Sequence, residues 1–262
     1  MSNTQGATWL ADEHQVQSIA ELFKALRLPT ARRLFEELHA QAPSQGWCAM
    51  GWLQALLEHE VSERADRRRA ARTKESGLSL GKTLETFDFS LVSGITRQQA
   101  HGLSQGGEWI DRASNILLFG PSGSGKTHLA TAIAHGLIAH GHRVYYSPTT
   151  IMLQKLTEAK REARLPQALE KLDRFDVIIL DDIGYADKNE VDTGLLFDLI
   201  ADRYESRSLV IASNKPFSGW EDVFPDNARC VAAIDRLVHH SAIFEIQGES
   251  YRRRQAQVAA GE

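Results

Sequence analysis

The sequence predicts an α/β fold, a central parallel sheet built around a nucleotide-binding loop and preceded by a small all-α domain. Three observations lead there. The first is Gly120-Pro-Ser-Gly-Ser-Gly125-Lys126-Thr127, a match to G-x-x-x-x-G-K-[ST], in which backbone N–H groups wrap phosphate oxygens, the lysine reaches the β- and γ-phosphates and the hydroxyl meets Mg2+. The second is its setting. Asn115-Ile-Leu-Leu-Phe119 is a short apolar run of the buried-strand kind, and Leu129, Ala132, Ile133 and Leu137 follow at helical spacing. The third is repetition: Val177-Ile-Ile-Leu180 and Ser208-Leu-Val-Ile-Ala212 are further apolar runs separated by helix-length segments, as a parallel sheet buried on both faces requires.

Gly120, Gly123 and Gly125 give the loop the backbone freedom to turn tightly around an anion, and the following helix aims the positive end of its dipole at it. Residues Gly120, Pro121, Ser122, Gly123, Ser124, Gly125, Lys126, Thr127 and His128 are therefore the expected ATP-binding segment, with Lys126 also catalytic. A glycine turn joining two elements is the competing reading, and the strand–loop–helix order argues against it.

The chain has 262 residues, 42% hydrophobic and 24% charged, the balance of an ordinary globular protein. Residues 1–14 are polar and acidic, and no apolar run approaches the ~18 residues of a membrane span, so a cytoplasmic protein without a membrane partner is expected. Cys48 and Cys230 stand alone, without the spacings of zinc or redox sites. The net charge of −4 is segregated: residues 61–74 carry six basic residues against Glu63 and Asp66, whereas residues 170–205 carry eleven acids against Lys171, Arg174, Lys188 and Arg203.

Residues 1–75 read as a helical DNA- or partner-binding domain. Ile19, Leu22, Phe23 and Leu26 mark one amphipathic helix, Ala31, Leu34, Phe35 and Leu38 a second after Pro29-Thr30, and Leu53, Leu57 and Val61 a third that runs on to about Arg72. On that third helix Arg64, Arg68 and Arg72 fall at i, i+4, i+8 with Arg67 beside them, a stripe suited to a phosphate backbone; a solvated face is the alternative. Residues 76–95 read as a linker and 96–262 as the nucleotide-binding domain. Arg143-Val-Tyr-Tyr146 reads as a strand followed by a turn, and the helix after it brings Lys155, Lys160 and Arg164, which either face DNA or form an ordinary exposed surface.

Asp181-Asp182 closes the run at 177–180, where open α/β sheets place their ligands. Asp181, with Thr127, is expected to hold Mg2+, a hard cation that takes oxygen ligands, and Asp182 to orient or deprotonate the attacking water. Asn214, at the tip of the next strand, is placed to hydrogen-bond the γ-phosphate or that water, unless it is a plain turn residue.

At this point the residues resemble a family. Asp181-Asp182-Ile-Gly-Tyr185, Arg203-Tyr-Glu-Ser-Arg207, Ser213-Asn214-Lys-Pro-Phe217, Asp235-Arg236-Leu-Val-His-His240 and Gly248-Glu-Ser-Tyr-Arg252 look like the IstB-type helper ATPases of bacterial insertion sequences, members of the AAA+ initiator and helicase-loader clade that includes DnaC. The resemblance implies an AAA+ P-loop NTPase, and because the chain ends soon after Tyr251-Arg-Arg-Arg254 no C-terminal helical lid is expected. It also implies an ATP-dependent homo-oligomer that captures double-stranded DNA for a partner transposase of the IstA type. Asn214 corresponds to the sensor-1 position, and Arg236 resembles the arginine finger that reaches into a neighbour's site. A structural ion pair is the other reading of Arg236, and Arg203 or Arg207 are alternative fingers. The rival functions are a DnaC-like replicative helicase loader, a small-molecule kinase on the same loop, and a nucleotide-binding module without turnover.

Overall fold

The computed structural model describes residues 12–183, 190–222 and 227–248. The chain divides into two compact units, Met1–Ala70 and Ala71–Glu262. In the first, α1 (Glu13–Ala25) starts on Asp12, whose carboxylate accepts the Gln15 N–H at 2.7 Å. α2 (Pro29–Gln41) begins with proline, and Leu28 before it has no side chain that can cap. The orphan N–H groups of Thr30 and Ala31 instead donate to Glu60 Oε2, at 2.8 and 3.0 Å, reaching across from α3 (Ala49–Ser76).

That tertiary cap sets the phase of α3. Turning Glu60 inward buries it together with Leu56, one turn earlier, and rotates the neighbouring row outward, so that Leu53, Leu57 and Val61 are 37%, 42% and 69% exposed. The third helix exists as expected, but those three residues do not line its buried face. Ala31, Phe35, Leu38 and Leu56 form this unit's core, with Ile19, Phe23, Leu34, Trp47 and Trp52 packed on it.

The second unit holds a five-stranded sheet of β2 (Asn115–Phe119), β3 (Val144–Pro148), β4 (Val177–Asp181), β5 (Ser208–Ser213) and β6 (Ser241–Glu245), in the order β3-β4-β5-β2-β6, with every pairing parallel. Tyr146, Ile179, Val210 and Ile116 form one row across it and Leu180, Ile211 and Leu117 the next. Because side chains alternate in direction along a strand, the first row packs under α6 (Lys126–Ala139) and the second under α7 (Thr149–Arg161), α9 (Glu190–Arg203) and α10 (Asn227–His239). The strands at 115–119, 177–181 and 208–213 are buried throughout, each large apolar side chain stabilising the fold by about 2 kcal/mol. The strand expected over 143–146 runs one residue later and continues to Pro148.

Several elements had no expectation. β6 pairs with β2 at the sheet edge, and β1 (Val92–Ser93) pairs antiparallel with β7 (Gln247–Gly248). α4 (Arg97–Gln105) opens with a capping box between Thr96 and Gln99 and is followed by the short α5 (Glu108–Asp111), while α8 (Leu165–Leu172) follows α7. Between α3 and α4, Leu78, Leu84, Phe87 and Ile95 are buried in the cluster beneath α6. Gly184, Tyr185 and everything after Gly248, including the segment bearing on a C-terminal lid, lie outside the described residues. No helix among the described residues is long and apolar enough to cross a membrane.

A candidate nucleotide site at the carboxyl edge of the sheet

The loop between β2 and α6 is held on both flanks by its neighbouring strands. Gly120 N donates to Ser213 O at the end of β5 (3.2 Å), and Ile246 N donates to Phe119 O (2.7 Å). Gly120 needs to be glycine: at φ 149°, a Cβ would stand 2.0 Å from the Ile246 carbonyl oxygen. Gly125, at φ 94°, opens α6 directly against the Phe87 ring, 3.0 Å from where a Cβ would lie. Lys126 is nearly sealed and its Nζ donates to the carbonyls of Gly120 and Pro121 at 2.7 and 2.8 Å, so the ammonium lies along the inside of the loop.

A cavity of about 550 Å3 opens from this loop. Ser122 to His128 form one wall and Asp182 one corner, while Lys82, Thr86, Phe87, Asp88, Leu91 and Val92 form the opposite wall. Sequence reasoning assigned none of these last six; the apolar cluster Phe87, Phe89, Leu91, Val92 just before the domain was the available signal. His128 joins the two walls. Its Nε2 lies 3.2 Å from both Thr86 Oγ1 and Thr83 O, and its ring meets Phe87 edge-on at 5.2 Å. Burial holds its pKa below the usual histidine value, against the opposing pull of the Thr83 carbonyl.

Asp181 lies at the tip of β4, 5% exposed, with both oxygens occupied. Thr127 Oγ1 donates to Oδ1 at 3.1 Å and Tyr146 OH to Oδ2 at 2.8 Å. Thr149 Oγ1 fixes its carbonyl at 2.9 Å. Asp182 follows in left-handed backbone, φ 57°, a conformation that aspartate, asparagine and glycine adopt most readily. Next door, beyond the end of β5, Asn214 keeps a buried Oδ1 with no hydrogen-bond partner among the described residues, as does Ser124 Oγ in the loop. The strand order places β4, β5 and β2 side by side, so Asp181, Asp182, Asn214 and the loop converge on one edge. A hydroxyl beside a carboxylate is a hard-oxygen pair suited to Mg2+, and the orphan polar atoms and glycine-lined cradle suit a polyphosphate.

The three arginines named as candidate fingers have different surroundings. Arg203 is 1% exposed and donates to the carbonyls of Leu172, Phe175, Asp176 and Ser208, at 2.9 to 3.3 Å. Burial lowers its pKa to about 10, leaving it charged at neutral pH and enclosed in its own subunit. Arg207 pairs with Asp176 at 3.2 Å. Arg236, one turn from the end of α10, lies with its guanidinium 5.1 Å over the Phe197 ring and donates to Ala232 O. Its helix runs into β6, whose first residue pairs with the first residue of β2, so it descends toward the sheet edge opposite the loop.

The basic residues named for DNA also divide. Arg64 donates to Arg27 O and pairs with Glu60, and Arg67 joins Thr30, Glu60 and Glu63. Arg68 is exposed and Arg72 half-buried further along α3. Lys155 donates to Tyr145 OH at 2.8 Å, and together with Arg164, which pairs with Glu162, and Lys171 it lines a groove of about 470 Å3 between α7 and α8; Lys160 is exposed nearby.

Comparison with known proteins gives this site a context. The chain is 49% identical over 234 residues to an insertion sequence ATP-binding protein of Sinorhizobium fredii, covering 89% of this chain and 78% of that one. It is 38% identical over 224 residues to the ATP-binding protein of insertion sequence IS21 from Pseudomonas aeruginosa, covering 86% and 84%. Among solved structures it resembles in fold the DnaC helicase loader (TM-score 0.52, 17% identity, 64% of this chain and 98% of that one) and domain III of the Thermotoga maritima replication initiation protein DnaA (0.52, 21%, 71% and 77%). The sequence model that describes IstB-like ATP binding proteins matches residues 21–259, which takes in the loop, the Asp181-Asp182 edge and Arg236 together, and the chain belongs to that family.

Proposed function

We propose that the protein is a Mg2+-dependent ATPase that oligomerises on double-stranded DNA and assists a transposase of the IstA type in insertion-sequence transposition. The observation that carries the chemistry is the pairing of Thr127 and Asp181 at 3.1 Å, on the same sheet edge as the Asn214 Oδ1 that has no hydrogen-bond partner among the described residues. The relatives' names supply the insertion-sequence context.

In this reading the loop N–H groups and Lys126 bind the β- and γ-phosphates, and Phe87, Leu91 and Val92 offer the base an apolar wall. Thr127 and Asp181 would hold Mg2+, which when bound neutralises charge on the β- and γ-oxygens. Asn214 orients a water and Asp182 accepts its proton as the water oxygen attacks the γ-phosphorus and the bond to ADP breaks. Arg236, on the far side of its own domain, serves the site of an adjacent subunit, where a planar and permanently charged fork spreads over the developing phosphoryl charge. Since Arg64 and Arg67 are engaged within their own helical unit, Arg68 and Arg72, with Lys155, Lys160 and Arg164, carry the contact to phosphates.

The test is ATP hydrolysis and sedimentation of the full chain with and without duplex DNA. Faster hydrolysis and a larger species with ATP and DNA together are expected. Equal hydrolysis in both conditions, or a monomer in the presence of both, overturns the proposal.

A further inference from the structure

We infer that Tyr146 is a positioning residue for the divalent cation, the fixed support against which Asp181 is aimed. This rests on the reading of Thr127 and Asp181 as the magnesium ligands.

The placement follows from register. Tyr146 of β3 is paired with Ile179 of β4, and Asp181 stands two residues further along the same strand. Residues two apart on a strand share a face, so Tyr146, Ile179 and Asp181 all point to the side that α6 covers. The Tyr146 ring packs, half-buried, against the cluster beneath α6, and its hydroxyl reaches diagonally to Asp181 Oδ2 at 2.8 Å. With its ring packed in that cluster, the phenol is fixed in place.

A single hydrogen bond at one oxygen leaves a carboxylate free to turn about its Cβ–Cγ bond, so Asp181 needs a second support. Thr127 Oγ1 donates to Oδ1 and keeps both lone pairs, so it can face a cation without giving up that bond. The Tyr146 bond lies on the opposite oxygen, so the two donors together fix the carboxylate plane. The choice of donor fits the task. An arginine or lysine at this point would cancel the charge that a cation is to meet, and phenylalanine would leave Oδ2 buried without a donor, whereas a phenol holds the oxygen and leaves the negative charge in place.

The experiment titrates a fluorescent ATP analogue, with and without Mg2+, into wild type, Tyr146→Phe and Asp181→Asn, with Mn2+ electron paramagnetic resonance as an independent measure of cation binding. Tyr146→Phe should keep metal-free nucleotide affinity within about twofold and raise the Mg2+ concentration for half-saturation about tenfold, the range expected for partners of ligating groups. 4-Aminophenylalanine at position 146, which retains a donor at the ring tip, should bring it back to within about threefold of wild type and covers the case in which the phenylalanine variant does not fold. A half-saturation unchanged in Tyr146→Phe, with Asp181→Asn strongly impaired, overturns the role of Tyr146 alone. Unchanged Mg2+ dependence in Asp181→Asn overturns the ligand reading and this inference with it.

Discussion

Glu60 and Asp181 are both almost sealed from solvent, 2% and 5% exposed, and each carboxylate is held by several donors, yet the two are built for different ends. Glu60 meets the backbone N–H groups at the start of α2 and the guanidinium groups of Arg64 and Arg67, at 3.0 and 3.4 Å. Its charge is answered inside the fold. Burial pushes its pKa up, but the Ala31 and Thr30 N–H groups and Arg64 outweigh that and hold it below the ordinary value of 4.5. Asp181 is held by two hydroxyls, Thr127 and Tyr146, which satisfy its hydrogen bonds without cancelling its charge. A buried acid with cationic partners is a joint; one with only neutral donors at a strand tip beside the loop is a candidate ligand.

The largest expected effect tests the ligand side of that contrast. Asp181→Asn should lower ATP hydrolysis by about a thousandfold, about 4 kcal/mol in the barrier, while melting at or above the wild-type temperature because it removes an uncompensated charge. Steady-state kinetics and calorimetry on one preparation check both. A large loss of stability would place Asp181 with Glu60 as a joint.

Arg203 and Arg236 repeat the contrast with the opposite charge. Arg203→Ala leaves four carbonyls without their shared donor and should destabilise the second unit by about 3 kcal/mol, read from urea unfolding. Arg236→Ala should unfold normally and bind ATP, but hydrolyse it about a hundredfold more slowly. Mixing it with Lys126→Ala should restore part of the activity, since each variant supplies what the other lacks. No recovery on mixing would return Arg236 to a role within its own subunit.

For the joint itself, Glu60→Ala should cost about 2 kcal/mol by exposing the uncapped start of α2 and leaving Arg64 and Arg67 without their acid, with metal-free ATP affinity unchanged. Because the folded pKa is depressed, this contribution is complete above the unfolded value near 4.5 and is lost as pH falls through the lower folded value. Glu60→Gln should flatten the stability profile in that acid range. A profile identical to wild type would show that the cap, and not the charge, holds α2.

The same contrast explains what the sequence could and could not convey. The loop and the strands at 115–119, 177–181 and 208–213 were legible because burial on both faces and phosphate binding each demand a local pattern. The inner face of α3 was misread because hydrophobic periodicity assumes that apolar residues set the helix phase, and here Glu60 sets it. β6 was missed because its half-exposed edge pattern lacks the continuous apolar run of its neighbours. Tyr146 gave no local signal, since it acts through a diagonal across two strands, and Arg203 was named only as an alternative finger because the carbonyls it meets are brought together only by the fold.

The smallest effect concerns the acid beside the ligand. Asp182 has left-handed backbone, and there the short acid has an advantage that catalysis alone does not explain: aspartate and asparagine tolerate that conformation, while a longer side chain without their local hydrogen bonding pays about 1 kcal/mol. Asp182→Asn should therefore match wild type in thermal stability and lose hydrolysis, whereas Asp182→Glu should lose about 1 kcal/mol of stability even though it keeps a carboxylate. Melting of the three proteins without nucleotide decides it. If the glutamate variant melts with the other two, backbone strain does not select the short acid, and the reach from the end of β4 to the attacking water is what remains to do so.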